Sequence, residues 1–340
     1  MSASLPLLLV LDGNSLTHRA YHAAATGRLL DGDGRPVWAL KGLIGYAARA
    51  AARLRPDAML IGFDCPDHSV RKDAYPGYKA HRPDKPADLV EQLLAAPGLL
   101  QAAGLGTVVH PAYEADDILA SAAALARSAG WRSVVMTSDR DAFALIDATT
   151  SVLRVRNGGL DEAVLVTAAS LAEVYGVHPW QYRDYAALRG DPSDNLPGVR
   201  GFGSATAARL LGAFGTLEAA WTALDNGHGH TVRTVVGDAA SQHLAANAMR
   251  EIVDRNRRLM RMHADLPMPD LDALRLPLDR LAMRRAFADR GIILGPSLWA
   301  LTGGTPPPTE AELALIPQPW VWRRSPRARR DPAPGQLALF

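Results

Sequence analysis

Short apolar runs that stop at carboxylates constrain this chain more than any other feature. Residues 7–11 (Leu-Leu-Leu-Val-Leu) end at Asp12, and residues 58–63 (Ala-Met-Leu-Ile-Gly-Phe) end at Asp64. Residues 133–137 (Ser-Val-Val-Met-Thr) lead through Ser138 to Asp139, and residues 107–109 (Thr-Val-Val) are followed closely by Glu114. Longer patterns of helical period separate these runs, at about 38–54, 87–103 and from Glu114 onward. Short buried strands alternating with helices predict an α/β fold whose parallel-rich central sheet is covered on both faces. In such sheets the carboxyl ends of the strands form one rim, and that rim holds the ligand crevice. Segments far apart in sequence are therefore predicted to deliver Asp12, Asp64, Glu114, Asp116, Asp117, Asp139 and Asp141 to one place.

One or two acids at a helix start are explained by the positive end of the helix dipole. The block Ala112-Tyr-Glu-Ala-Asp-Asp-Ile-Leu-Ala120 carries three, and fixed like charges raise one another's proton affinity unless a cation sits among them. Oxygen-rich sites of this kind suit Mg2+ or Mn2+. The ten histidines are scattered, and the lone Cys65 excludes an internal disulfide framework and fits a reducing compartment. Formal net charge is only +2, so any case for nucleic acid rests on where the cations lie. No apolar run approaches the ~18 residues of a membrane span, and the first ten residues read as a strand without a leader's basic start, so a cytoplasmic protein is expected.

Beyond about residue 170 the pattern turns helical. A helical stretch at 180–189 leads into Gly190-Asp-Pro-Ser-Asp194, then Val199-Arg-Gly-Phe-Gly-Ser204, with a second helix starting at Ser204. Helices joined by a glycine-rich turn can bring backbone N–H groups close to phosphate oxygens, and Asp191 and Asp194 stand just before that turn. Between Asp64 and the helix at 87, Arg71, Tyr75, Tyr78, Lys79, His81 and Arg82 interleave cations with rings. This is either a solvated loop or a grip on a single strand.

Asp12-Gly, Phe-Asp64, Tyr-Glu-Ala-Asp-Asp117, Ser-Asp-Arg-Asp141 and Gly-Asp-Pro-Ser-Asp-Asn-Leu-Pro-Gly-Val199 resemble, in order, the motifs of the structure-specific 5′ nucleases. These are the bacterial and phage flap endonucleases and the 5′ nuclease domain of type I DNA polymerases. The resemblance spans roughly residues 5–300. It implies a PIN-like nuclease core at 1–169 with an arch at about 65–103 and a helix-three-turn-helix DNA-binding region at 170–300; beyond them, proline and a charge run predict a flexible tail at 301–340. It implies flap endonuclease and 5′–3′ exonuclease activity on DNA with a 5′ flap or overhang, in replication and repair. Asp12, Asp64, Glu114, Asp116 and Asp117 would serve a first metal, and Asp139, Asp141, Asp191 and Asp194 a second. Lys79 and Arg82 would contact the scissile phosphate as catalytic residues beside Asp116, and Tyr78 would stack the terminal base. Arg19, Arg71, Arg200, Gly201, Gly203, Ser204 and Thr206 would meet DNA, and carbonyls at Val199 and Phe202 would hold K+. Ala205 departs from the lysine that relatives often carry, and Lys41 stands where several have an aromatic.

With no polymerase following, the expectation is a stand-alone, monomeric, nucleoid-associated nuclease. The proline- and arginine-rich tail ends in Gln336-Leu-Ala-Leu-Phe340, which resembles the peptide that docks bacterial enzymes on the sliding clamp through Gln336, Leu337, Leu339 and Phe340. Two other functions fit less well. A phosphohydrolase with Asp12 as nucleophile wants an acid where Asn14 stands. A catalytically idle junction-binding protein would not need nine acids.

Overall fold

The computed structural model describes residues 5–23, 29–293 and 296–305, so the residues 306–340 that carry the clamp-like peptide lie outside the described part. A six-stranded sheet forms the centre: β1 (Leu7–Asp12), β2 (Ala58–Phe63), β3 (Gly106–Val109), β4 (Arg132–Thr137), β5 (Thr150–Arg156) and β6 (Gly159–Val166). Its spatial order is β3-β2-β1-β4-β5-β6, all parallel except β6, which returns antiparallel to β5. The chain leaves β1 toward β2 on one side and later pairs β4 on the other. The order therefore reverses at β1 and β4, which opens a crevice at their carboxyl ends.

Every residue of β1 and of β2 is buried. Alternation along β1 divides the core: Leu7, Leu9 and Leu11 pack with α2 (Trp38–Leu54) through Leu40, Leu43 and Ile44. Leu8 and Val10 pack on the opposite face with Ile118, Leu119 and Ala122 of a second helix. A fully buried leucine contributes roughly 1.5–3 kcal/mol of transfer free energy, so this strand is a main contributor to the core on both faces of the sheet. The crossover helices are α1 (Gly13–Ala23) and α2, then α3 (Val70–Ala74) and α4 (Ala87–Ala102), then α5 (Ala115–Ser128).

The helical part begins with α6 (Ala168–Tyr175) and α7 (Tyr182–Arg189). A two-stranded hairpin follows, β7 (Gly190–Asp191) with β8 (Leu196–Pro197). Then come α8 (Ser204–Phe214), α9 (Leu217–Asp225), α10 (Gly229–Val236), α11 (Asp238–Ala245) and α12 (Asn247–Leu259). Phe143, fully buried in the 3-10 turn Asp141–Leu145, meets the rings of Tyr175 and Tyr182 edge-on at 5.4 and 5.3 Å. That contact seats the turn after β4 against α7. Past α12 the chain returns to the sheet: Leu276 N–H donates to the Asp57 carbonyl at 2.9 Å, and Arg275 bridges Ala58.

Candidate active site

Asp12 is the last residue of β1 and 5% exposed. Its two oxygens accept from Ser15 N–H at 2.9 Å and Thr137 Oγ1 at 2.7 Å, which fixes the carboxylate at the start of α1. Burial, with Asp64 and Asp139 nearby, pushes its proton affinity up to about 7 despite those two donors. Gly13 is required beside it, because a Cβ there would stand 2.4 Å from the Phe63 ring. Asp64 follows β2 and accepts from Ala115 N–H and Asn14 Nδ2, both at 2.8 Å. Asn14 Oδ1 in turn accepts from Asp64 N–H at 3.0 Å. Burial raises Asp64 as well, and Glu114 adds to it.

Asp116 and Asp141 differ from these. Their carboxylates make no hydrogen bond and no ion pair among the described residues. Burial raises Asp116 well above the carboxylate range, reinforced by Asp139 and Asp12. Asp141 is raised by burial and then by Asp139, Asp191 and Asp194. Asp139 is exposed and accepts from Asp141 N–H at 2.9 Å, while its own N–H donates to Thr137 Oγ1 at 3.0 Å. The fields link Asp64, Asp12, Asp139, Asp116, Asp141, Asp191 and Asp194 into one acidic group along the crevice. Asp116, Asp141 and Asp194 also line a cavity of about 10 Å³, room for one water-sized occupant. Among the described residues no three His, Cys, Asp or Glu side chains close on a common point as a finished cation cage.

Three of the expected ligands, Asp117, Glu114 and Asp194, are held by protein cations. Asp117, fully buried, takes both Arg71 guanidinium nitrogens at 2.6 and 2.7 Å, and also accepts from Glu114 N–H at 3.2 Å and His263 N–H at 2.8 Å. Its donors are complete, and they make it a strut between α3, α5 and the segment after α12. Arg71 was expected on DNA; its remaining N–H groups donate to the Leu259 and Arg261 carbonyls at 2.8 and 3.1 Å, so it belongs to the same strut. Glu114 accepts from Lys79 Nζ at 2.9 Å, Ser69 Oγ at 3.0 Å and the Tyr78 hydroxyl at 3.1 Å. Burial opposes its charge, but Lys79 and Arg71 hold it below the usual carboxylate range. The Tyr78 ring, expected as a stacking platform, is only 4% exposed and lies under Lys79 Nζ at 4.7 Å.

Lys79 and Arg82 face the crevice from a loop stitched to the β7–β8 hairpin. Lys79 N–H donates to the Asp194 carbonyl at 3.0 Å, Arg82 Nε to the Ser193 carbonyl at 3.0 Å, and Asn195 Nδ2 to the Gly77 carbonyl at 2.8 Å. The Arg82 guanidinium pairs with Asp194. Asp194 is raised by burial, against the pull of Lys79 and Arg82. Asp191 caps its own turn, accepting from Ser193 N–H at 2.8 Å. Arg19 donates to the Arg156 carbonyl at 2.7 Å, at the end of β5.

The family model "5'-3' exonuclease, N-terminal resolvase-like domain" matches residues 7–176, half of the chain, and "5'-3' exonuclease, C-terminal SAM fold" matches residues 177–280. The chain belongs to the 5′–3′ exonuclease family. It is 38% identical over 284 residues to DNA polymerase I of Mycobacterium leprae, covering 83% of this chain and 30% of the polymerase. With the thermostable DNA polymerase I of Thermus thermophilus it shares 34% over 330 residues, covering 92% of this chain and 37% of the polymerase. The chain thus spans about a third of the length of these relatives. In fold it is similar to zinc-bound T5 5′-exonuclease, with a TM-score of 0.59 at 17% identity, covering 87% of this chain and 97% of that one. It is also similar to human GEN1 in complex with Holliday junction DNA, with a TM-score of 0.53 at 13% identity, covering 88% and 74%.

In this member of the exonuclease family the glycine turn after β8 leaves Arg200, Gly201, Gly203 and Ser204 exposed and Thr206 half-buried, while Val199 and Phe202 point inward. Gly201 has φ +88°, and the Val199 carbonyl accepts from Phe202 N–H at 3.0 Å. Asn14 and Thr137 were not among the expected site residues, yet they position Asp64, Asp12 and Asp139. Their one signal was place: each stands at a strand end beside an acid.

Proposed function

We propose that this chain is a divalent-metal-dependent 5′ nuclease that hydrolyses DNA phosphodiesters at single-strand to duplex junctions, as flap endonuclease and 5′–3′ exonuclease. The observation that carries this reading is the pair Asp116 and Asp141, half-buried carboxylates without donors beside Asp139 and Asp194. A charge left in that state is costly, and a hard cation is what the oxygens lack. Bound there, Mg2+ or Mn2+ would supply hydroxide from water near neutral pH and charge for the departing 3′ oxygen. The nearly complete donor sets on Asp12 and Asp64 hold those carboxylates rigid. Asp117, already saturated, serves as support. Lys79 and Arg82 now neutralise Glu114 and Asp194; both reach the crevice, where they would turn to the scissile phosphate as its charge develops. The exposed turn at 200–204 offers backbone N–H groups to the duplex, and carbonyls near Val199 and Phe202 would take K+.

The metal-bound T5 exonuclease and the junction-bound GEN1, both of this fold, support divalent ions and branched DNA as the ligands. The terminal Gln336, Leu337, Leu339 and Phe340 would dock the enzyme on a bacterial sliding clamp. Nothing in the site favours an idle junction binder. A labelled 5′-flap duplex decides the matter. The wild type should cut it with Mg2+ and not with EDTA, and Asp116→Asn should bind the flap but leave it whole. Undiminished turnover by that variant would refute the assignment.

A further inference from the structure

A cavity of about 320 Å³ opens between the turn after β4, the end of β5 and the α7–β7 junction. Asp139, Asp141 and Asp191 line it on behalf of the acidic group already described. Arg140, Arg154 and Arg189 line it too, and none of these three makes an ion pair among the described residues. Cations and carboxylates sharing one small cavity would ordinarily pair, and these do not. Arg154 is half-buried on β5, and its Nε is buried with no hydrogen-bond partner. Burial, with Arg140 and Arg156 beside it, holds this guanidinium below its ordinary range. Arg189 lies 5.0 Å over the Tyr185 ring, a contact that consumes none of its donors. A desolvated guanidinium with open donors, crowded by other cations, is the arrangement that an oxyanion relieves. The acids on the same cavity would repel that anion unless cations stand among them, as the proposed function already requires.

We propose that Arg140, Arg154 and Arg189 form a phosphate subsite that holds a second phosphate of the substrate strand, next to the one that is cut. The inference rests on the nuclease reading above and extends it to a specific contact. A phosphate carries the acceptor oxygens that planar guanidinium forks match, and its link to the cut strand places it beside metal-bearing carboxylates. The occupant is either an internal diester or the monoester at a 5′ end; the chemistry is shared and the two sources can be told apart.

The test uses the full-length protein with Mg2+ and a series of 5′-flap duplexes, each with one linkage neutralised as a methylphosphonate. A parallel pair carries a 5′-phosphate or a 5′-hydroxyl. Wild type should lose kcat/KM, about tenfold, at one position near the cut, the loss expected for one charge-assisted contact. Arg154→Gln with Arg189→Gln should show that lower rate on the unmodified duplex and no further loss at that position. The slope of log affinity against log salt should fall by about 1 for each phosphate contact removed. Arg140→Gln, at an exposed position, gives the same reading in a variant whose folding is not at stake. Lost sensitivity at an internal linkage identifies a diester, and lost preference for the 5′-phosphate identifies the terminal group. Wild type and variants that respond alike to every neutralised charge, while wild type still cuts, would overturn the subsite and leave the nuclease standing. A wild type that cuts none of the duplexes would overturn both.

Discussion

Asp117 and Asp139 are both acids of the expected metal set, yet their surroundings assign them opposite work. Removing one partner of a buried, fully bonded ion pair strands the other charge and costs roughly 3–5 kcal/mol. Asp117→Asn should therefore lower the unfolding free energy, measured in urea, by that much, and Arg71→Gln should match it. Asp139→Asn, at an exposed position, should leave the unfolding free energy within about 0.5 kcal/mol and abolish flap cleavage. The raised carboxylates make a second prediction. Asp12, Asp64, Asp116, Asp141 and Asp194 bind protons more tightly folded than unfolded. Their contribution to stability is therefore full below the ordinary carboxylate range and is lost as pH rises through the raised values, about 7 for Asp12. His18, held down to about 4 by burial and by Lys85, acts in the opposite sense below its ordinary 6.5. The metal-free protein should accordingly melt at lower temperature at about pH 8 than at pH 6.5, and Mg2+ should restore the difference. A melting temperature unmoved by either change would count against an acidic group in tension.

At the scale of elements, the β7–β8 hairpin holds Asp191 and Asp194 in place. Gly190 sits at φ +71°, and a Cβ there would fall 2.3 Å from the Gly198 nitrogen, a backbone atom that cannot swing aside. The buried Asn256 clamps the same hairpin, donating to the Pro197 and Ala187 carbonyls at 2.8 and 3.2 Å. Gly190→Ala should cost at least about 2 kcal/mol and reduce cleavage as the two acids shift, read by chemical denaturation beside flap turnover. The strands β1, β2 and β4 were legible in the sequence because burial on both faces leaves unbroken apolar runs. β6 was not: it is antiparallel, with four of its eight residues exposed, and its partner β5 carries Arg154 and Arg156. The acids were legible because their residue type is itself the chemistry. Arg71 and Tyr78 were expected to meet DNA, and no local pattern could reveal that residues 188 positions downstream cover Arg71.

For the molecule as a whole, the clamp-like peptide closes a proline- and arginine-rich stretch that lies outside the described residues. Deleting Gln336 to Phe340 should weaken affinity for a bacterial sliding clamp, measured by surface binding, and leave cleavage of free flaps unchanged. The body poses another question, how the helical part answers a substrate. The chain enters that part once, after β6, and comes back onto the sheet at Arg275 and Leu276, with the Arg71–Asp117 strut clasping the return. A panel fixed along two edges does not swing. On the proposed function, adaptation to different branched DNAs comes from the loops that border the crevice, and hydrogen exchange on adding a flap duplex should slow there while the helices keep one rate.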